Sequence, residues 1–264
     1  MDDRQQLLSA REHLHMGIRA SEEWQPSYKE DADSFDMLIR LEARLETAVA
    51  EYLHEASTRA PGYVDWSALP SGLQADAGPV RNNDDPVWEV EQTYLTQAVL
   101  EIITELIATG GLAAEAKYEI PVGYTSLHEA VMEAARKHTA GMVKGVTETT
   151  RKLIRESVAK SIALGEDTSL ATERLMETID NPIRAELIAQ TEPVNAYQTG
   201  YSMYAKSTGA KQKTWDGLAG ACQFCSPLIG KTIPIDDQFE LPNGKLIDHP
   251  AAHPRCRCSV IYLY

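Results

Sequence analysis

The placement of the cysteines restricts how this chain can fold more than any other feature. All four lie near the C-terminus, where Cys222 and Cys225 form a C-x2-C pair and Cys256 and Cys258 form a C-x-C pair. His253 stands three positions before Cys256. Zinc prefers four tetrahedral ligands drawn from thiolate and imidazole, and a C-x2-C turn supplies two of them. The spacing therefore predicts a structural zinc site that joins two distant parts of the chain.

The sequence offers more ligands than a tetrahedral zinc needs. Five side chains compete for four positions: Cys222, Cys225, His253, Cys256 and Cys258. Residues two apart in an extended chain point the same way, so both Cys256 and Cys258 are available. The preferred ligands are Cys222, Cys225, His253 and Cys256. In the alternatives, Cys258 replaces His253 or Cys256. His249 is a weaker candidate. The competing interpretation is four reduced thiols or a disulfide pair without a metal.

The charge balance limits the functions that the chain can have. Its composition, 43% hydrophobic and 24% charged, is that of an ordinary soluble protein. The formal net charge of −14 argues against a nucleic-acid coat, because phosphate binding depends on Lys and Arg. Residues 205–264 carry seven basic and five acidic side chains, 7 − 5 = +2, which leaves −16 for residues 1–204. This difference indicates a separate C-terminal module.

The sequence also carries information on the compartment. No uninterrupted apolar run reaches the roughly 18–20 residues of a membrane span, and the charged start MDDRQQLLSAREHL lacks the apolar region of a signal peptide. We expect a protein of the cytosol with no membrane partner. In a reducing compartment, clustered cysteines indicate a metal site before they indicate disulfides.

Helical periodicity dominates the first two thirds of the chain. Apolar residues recurring at steps of three and four predict helices over 31–58, 86–108, 126–164 and 169–179. The connection over 60–86 is rich in Pro, Gly, Asn and Asp and is predicted to be irregular.

Glycine and proline mark the expected helix boundaries. Gly110-Gly111 predicts the end of the second helix, and Asn181-Pro182 predicts the start of the last one. Pro193 is expected to kink or interrupt that last helix. The stripe that follows is predicted to be a packing face, and its members are Val194, Tyr197, Tyr201 and Tyr204.

Short β-like runs replace the helical pattern after Lys211, at 213–215, 231–235 and 259–264. We therefore predict a mostly α protein with an elongated helical body and a small C-terminal β-rich zinc-binding module. The expected divisions are an N-terminal arm over 1–30, the helical body over 31–209 and the Cys/His zinc module over 210–264. Trp215 and Phe239 are the predicted hydrophobic core of the module.

Catalytic signatures are incomplete in this sequence. A catalytic zinc keeps one position open for water and has a general base nearby, but no His stands two before a Glu as the zinc deaminases require. Asp248-His249-Pro250 is similar to part of the HNH nuclease motif, which needs a further ligand-bearing helix. No G-x-S-x-G or Walker loop is present. We predict that the protein is not an enzyme; the alternative is a metal-dependent nuclease or hydrolase that uses the C-terminal His/Cys site.

Several motifs occur together in a recognisable order. Arg184 and the run Ile188-Ala189-Gln190-Thr191-Glu192 precede Lys213-Thr214-Trp215-Asp216, the C-x2-C pair, Leu228-Ile229-Gly230-Lys231 and His253-Pro254-Arg255-Cys256-Arg257-Cys258. This order resembles the phage head morphogenesis proteins of the Mu F type, the minor capsid proteins of tailed phages. The resemblance covers about 126–264. Two departures are Gln190, where the family usually has Arg, and Pro193, which directly follows Glu192.

The resemblance implies a structural minor head protein in the virion, inside the head near the portal, and in the host cytoplasm during assembly. The implied partners are the portal protein and the major capsid or scaffold protein, with a role in head morphogenesis and in DNA packaging or ejection. From the residues alone, a basic C-terminal patch is a candidate for contact with packaged DNA. Its members are Lys206, Lys211, Lys213, Arg255 and Arg257.

Overall fold

The structure, a computed structural model, describes residues 24–67, 80–123, 125, 128–217 and 221–264. Within these residues the chain is mostly helical, with a small region of strands at the C-terminal end. This confirms the predicted fold class at that level. Most of the predicted arm and the middle of the irregular connection lie outside the described residues.

Helices account for the described chain up to Ser207. They are α1 (Ala32–Arg59), α2 (Val87–Tyr118), α3 (Glu129–Leu164), α4 (Thr168–Ile179) and α5 (Pro182–Ser207). Short 3-10 turns precede and follow α1, at Pro26–Lys29 and Ala60–Tyr63. Leu38, Leu41 and Leu45 are completely buried along α1, which confirms the apolar stripe that predicted this helix.

The predicted end of α2 at Gly110-Gly111 is wrong, because the helix continues to Tyr118. Gly110 serves packing instead of termination. A Cβ built on Gly110 would collide with the backbone carbonyl of Tyr197 in α5, and one on Gly200 would collide with the carbonyl of Ile107 in α2. The two helices therefore approach so closely that only hydrogen fits at these two positions.

Helix α5 begins where the sequence predicted, but it is not interrupted at Pro193. The Asn181 side chain accepts hydrogen bonds from the backbone N–H groups of Ile183 (3.0 Å) and Arg184 (3.3 Å) and so caps the helix. Pro193 lies inside a continuous helix, so the predicted interruption is wrong. The predicted packing stripe is confirmed, since all four of its members are buried: Val194, Tyr197, Tyr201 and Tyr204.

Five short strands follow the helices. They are β1 (Gln212–Asp216), β2 (Thr232–Pro234), β3 (Phe239–Glu240), β4 (Leu246–Ile247) and β5 (Ser259–Leu263). β1 is central in an antiparallel sheet of order β2-β1-β5, with Lys213 opposite both Ile233 and Tyr262. β3 and β4 form a separate antiparallel pair that the sequence pattern did not predict. Trp215 and Phe239 are buried with ring centroids 5.2 Å apart, which confirms the predicted core.

The described chain divides into two compact units. The first contains residues up to Glu46, Glu101–His138 and Leu187–Tyr264, and thus includes all the strands. Its core is rich in tyrosine, with Tyr28, Tyr197 and Tyr262 fully buried. The second contains Thr47–Leu100 and Thr139–Glu186, and its named elements within the described residues are helices and a 3-10 turn.

The second unit has a buried polar contact of its own. In it, Arg59 and Tyr63 donate hydrogen bonds to the carboxylate of Glu91, at 2.6 Å and 2.5 Å from Oε1. The Glu91 side chain is almost entirely buried. This contact joins the end of α1 and the turn that follows it to α2.

Helix α2 is long and apolar enough to cross a membrane by length and composition alone. In the folded chain, however, 61% of its most apolar window is buried, as in the core helix of a soluble protein. A single such helix is weak support for a membrane span.

Candidate metal centre

A tight turn presents the first two thiols. The backbone N–H groups of Cys225 and Ser226 donate to the carbonyl of Cys222, at 3.1 Å and 2.9 Å, and a 3-10 turn over Ser226–Leu228 continues the bend. Pro227 suits such a turn because its ring fixes φ near the helical value. The C-x2-C pair is therefore held by the backbone as the sequence analysis expected of a zinc turn.

The other donors come from the loop that leads into β5. The N–H of Cys256 donates to the carbonyl of His253 at 3.1 Å, and Arg255 adopts a left-handed conformation with φ of 61°. Beyond this turn Cys256 and Cys258 both direct their sulfur atoms towards Cys225. This is the side-chain alternation expected of an extended segment.

The five predicted ligands converge on one place. Cys222, Cys225 and His253 form one group, and Cys225, Cys256 and Cys258 form another, with all ligand atoms in each group within 4.8 Å of one another. Cys225 belongs to both. The structure thus brings together every predicted ligand and leaves the choice of four among five open.

The distances within the cluster suit a tetrahedral metal. With Zn–S bonds of about 2.3 Å, two thiolates on one zinc lie about 3.8 Å apart, and the Sγ atoms of Cys225 and Cys256 are 3.8 Å apart. The Nε2 atom of His253 lies 3.0 Å from Sγ of Cys222 and 3.3 Å from Sγ of Cys225. These separations are slightly shorter than the roughly 3.6 Å between nitrogen and sulfur ligands of the same ion.

The orientation of His253 favours metal binding through one nitrogen. Its Nδ1 is 2.8 Å from the carbonyl oxygen of Pro254, where it donates a hydrogen bond. This leaves Nε2 facing the sulfur atoms, as in metal sites where a backbone carbonyl fixes the imidazole. His249 differs, because its Nδ1 is 2.6 Å from the Pro250 carbonyl and its Nε2 faces the Thr199 hydroxyl at 3.3 Å. Neither metal-binding group among the described residues includes His249.

Burial and charge divide the cluster into an inner and an outer part. Cys225, Cys256 and Cys258 are buried, whereas Cys222 is exposed. Hydrogen bonds from the Cys225 and Cys258 thiols lower the pKa of Cys256, and the hydrogen bond with Cys256 raises the pKa of His253 to about 9. Its hydrogen bonds with Cys256 and Cys258 raise the pKa of the Cys225 thiol. A cluster that already favours a thiolate can exchange its remaining protons for a divalent cation.

Helix α5 holds the loop that carries the second half of the cluster. The N–H of Arg255 donates to the Thr191 hydroxyl at 3.2 Å, and the N–H of Ala251 donates to Oδ1 of Asn195 at 2.7 Å. The guanidinium of Arg257 donates to the carbonyl of Gln190 at 2.8 Å. The Gln190–Thr191 part of the motif series therefore contacts the H-P-x-C-R-C part directly.

A second set of supporting residues was not predicted from the sequence. Arg257 also donates to the buried carboxylate of Glu42 at 3.1 Å, and its guanidinium lies 3.9 Å from the ring centroid of Trp24. The hydroxyl of Tyr28 donates to the carbonyl of Cys258 at 2.7 Å. The sequence showed Arg257 between two predicted ligands, but it did not indicate which residues Arg257 would contact.

The predicted basic patch is smaller than expected. The side chain of Lys213 is fully buried and donates to the carboxylate and carbonyl oxygens of Asp248, and that of Arg257 is 9% exposed beside Glu42. Lys206 also pairs with Asp248, at 3.3 Å. Lys211 and Arg255, the other two predicted members, are exposed.

Comparisons with known proteins found no relative of this chain: no family model, no curated protein and no solved structure matches it. The resemblance to phage head morphogenesis proteins therefore remains a prediction that depends on the motif order.

Proposed function

We propose that the Cys/His cluster binds one structural zinc ion that stabilises a small docking module. The observation that carries this proposal is the convergence of Cys222, Cys225, His253, Cys256 and Cys258 from two separate parts of the chain. Three of these groups are buried thiols, and buried thiols so close together favour a soft or borderline cation such as zinc.

The composition of the cluster supports a structural role for the metal over a catalytic one. Within the described residues, neither metal-binding group contains a carboxylate that could serve as a general base. Five donors are enough to fill a tetrahedral zinc and leave no position for water. We accordingly propose that the protein is not an enzyme.

We further propose that the protein is a minor head protein of a tailed phage that docks on the portal during head morphogenesis. The ordered motif series supports this function, and two of its separated parts meet through Arg255–Thr191 and Arg257–Gln190. Contact with the major capsid or scaffold protein belongs to the same proposal. Direct binding of packaged DNA has less support, because Lys213 and Arg257 are engaged inside the protein.

Two measurements test the proposal separately. Elemental analysis of the purified protein should find one zinc per chain, lost in Cys225→Ser and retained in His249→Ala, because Cys225 belongs to both groups of ligands and His249 to neither. Copurification with the portal protein from assembling heads, and detection in mature virions, test the functional part. The Cys225→Ser protein should copurify less well than the His249→Ala protein.

Different failures would point to different errors. Absence of the protein from both virions and portal preparations would reject the proposed head function. It would not affect the proposal of a zinc site. The rival function, a metal-dependent nuclease or hydrolase, predicts hydrolysis with added divalent metal that His249→Ala or His253→Ala abolishes while the fold survives. That result would overturn the structural role.

A further inference from the structure

The segment before α1 packs on the back of the candidate metal site. Trp24 and Tyr28 are 3% and 2% exposed, although the segment holds only one short turn, Pro26–Lys29. Their rings contact each other edge to face at 5.1 Å, and Trp24 contacts Phe35 in the same way at 5.6 Å. Such burial of a short segment requires partners elsewhere in the chain.

Those partners are the residues between and beside the C-terminal ligands. Side chains alternate in an extended segment, so with Cys256 and Cys258 facing Cys225, Arg257 faces the opposite side. There its guanidinium lies over Trp24, at 3.9 Å from the ring centroid, and pairs with Glu42 of α1. One side chain thus links the ligand loop to the N-terminal segment.

Two further contacts involve the backbone of the ligand loop and the start of β5. Tyr28 donates its hydroxyl hydrogen to the carbonyl of Cys258 at 2.7 Å and accepts a hydrogen bond from Nε2 of Gln198 at 2.8 Å. The hydroxyls of Ser27 and Ser259 are 2.5 Å apart, and Ser259 also donates to Asp216. The N-terminal segment therefore contacts a ligand residue and both of its neighbours.

We propose that metal occupancy of the cluster controls the docking of the segment Trp24–Lys29, so that this segment is held when metal is bound and released when it is lost. The inference rests on the proposed zinc site. A metal that binds Cys256 and Cys258 fixes the backbone between them, and with it the Arg257 side chain and the Cys258 carbonyl. Without the metal, this irregular backbone keeps its hydrogen bonds to α5 but loses the restraint on Cys256 and Cys258, and the contacts of Arg257 and Cys258 to Trp24 and Tyr28 weaken.

Thermodynamic linkage requires the coupling to act in both directions. If metal binding favours the docked segment by a given factor, the docked segment must raise metal affinity by the same factor. Release would expose Trp24 and Tyr28 as apolar anchors for a partner, and would give the loaded and metal-free proteins different surfaces.

Hydrogen exchange of the full-length protein, with zinc and after chelation, tests the coupling. Amides of residues 24–30 should exchange at least about fivefold faster without zinc, the lower end of typical coupling. Amides of the second unit, such as those of residues 88–100, should not change. Zinc bound at one per chain with equal exchange of residues 24–30 in both states would overturn this inference and leave the zinc site intact.

Two variants separate coupling from general loss of stability. Arg257→Gln keeps all five donors, so zinc should still bind, but exchange of residues 24–30 should become fast with or without it. Arg59→Gln removes a comparable arginine–carboxylate pair in the second unit and should leave the zinc effect unchanged.

The reverse direction of the coupling has its own test. Tyr28→Phe removes the hydroxyl that contacts Cys258 and should weaken zinc binding several-fold, whereas Tyr63→Phe, which loses a contact to Glu91, should not. Equal zinc affinity in wild type and Tyr28→Phe would contradict the inference. A purified protein with no metal would remove both this inference and the zinc site.

Discussion

Cys225 is the residue on which the candidate metal site depends most. It is buried, it belongs to both groups of ligands, and its Sγ lies 3.3 Å from the His253 imidazole and 3.8 Å from the Cys256 sulfur. Cys222 and Cys258 each belong to one group only. With five donors for four positions, one of the other groups can be dispensable, but Cys225 cannot.

We therefore expect Cys225→Ser to lose zinc. At least one of the single substitutions at the four other donors should retain it: Cys222→Ser, His253→Ala, Cys256→Ser or Cys258→Ser. Ser226→Ala, at the next position, is the matched control and should keep one zinc per chain. Metal content and zinc affinity of the six proteins provide the measurement. Retention of zinc by Cys225→Ser would contradict the central place of Cys225 in the site.

The carboxylate of Glu91 supplies a pH-dependent contribution to stability in the second unit. Burial acts to raise its pKa, but the hydrogen bonds from Arg59 and Tyr63 outweigh burial, and the net pKa lies below the ordinary value. A group with a lowered pKa in the folded state stabilises the protein above its unfolded pKa of about 4.3. That contribution is lost as the pH falls through the folded pKa.

Glu91→Gln should accordingly cost about 2 kcal/mol of unfolding free energy at neutral pH, the scale of hydrogen bonds to a charged group. The cost should shrink as the pH falls below about 4. Denaturant unfolding at several pH values measures both effects, with Glu89→Gln, an exposed neighbour on α2, as the control. A cost that is independent of pH would contradict the assigned role.

At the residue scale, the sequence predicted the five donors that come together but not the residues that support them. The spacing of cysteine and histidine is typical of zinc sites, so all five donors could be named from the sequence alone. Glu42, Trp24 and Tyr28 could not, because their partners lie about two hundred positions away and no local pattern identifies them.

At the scale of helices, the crossing of α2 and α5 shows where sequence patterns mislead. Glycine within a helical pattern usually indicates a boundary or a cost in stability. Here Gly110 and Gly200 lie at the closest approach of two helices, each against a backbone carbonyl of the other. The helices themselves were predictable from apolar spacing, but the role of these glycines depends on the neighbouring helix.

Gly110→Ala should therefore destabilise the protein by about 1–3 kcal/mol, the usual cost of overpacking a close contact. Gly145→Ala is the control on α3, where an added Cβ meets nothing within 4 Å. Alanine there should stabilise the helix by about 0.5–1 kcal/mol. Thermal or denaturant unfolding distinguishes the two, and equal effects at both positions would refute the close approach.

At the scale of the whole molecule, most of the core belongs to helices, whereas the strands are short and few. The sequence predicted this division and placed it near Gly209, between the end of α5 and the start of β1. It could not predict that the strands belong to the same compact unit as parts of α1, α2 and α5. That arrangement depends on contacts between segments far apart in the chain.

Removal of the metal should therefore lower stability without abolishing the helices. A ligand that binds only the folded state at a thousand times its Kd contributes about 4 kcal/mol, and this is the expected loss on chelation. Far-ultraviolet circular dichroism should remain largely helical at 25 °C while the melting temperature falls. A melting temperature that chelation does not change would show that the cluster contributes nothing to folding.

X-ray absorption at the zinc edge of the purified full-length protein is the decisive measurement for the candidate metal site. We expect one zinc with four ligands, dominated by sulfur at about 2.3 Å with at most one nitrogen, and no bound water. Loss of that signal in Cys225→Ser would assign it to the cluster. A metal-free protein, or a zinc with oxygen ligands and an open position, would be incompatible with a structural zinc held by the cysteines and His253.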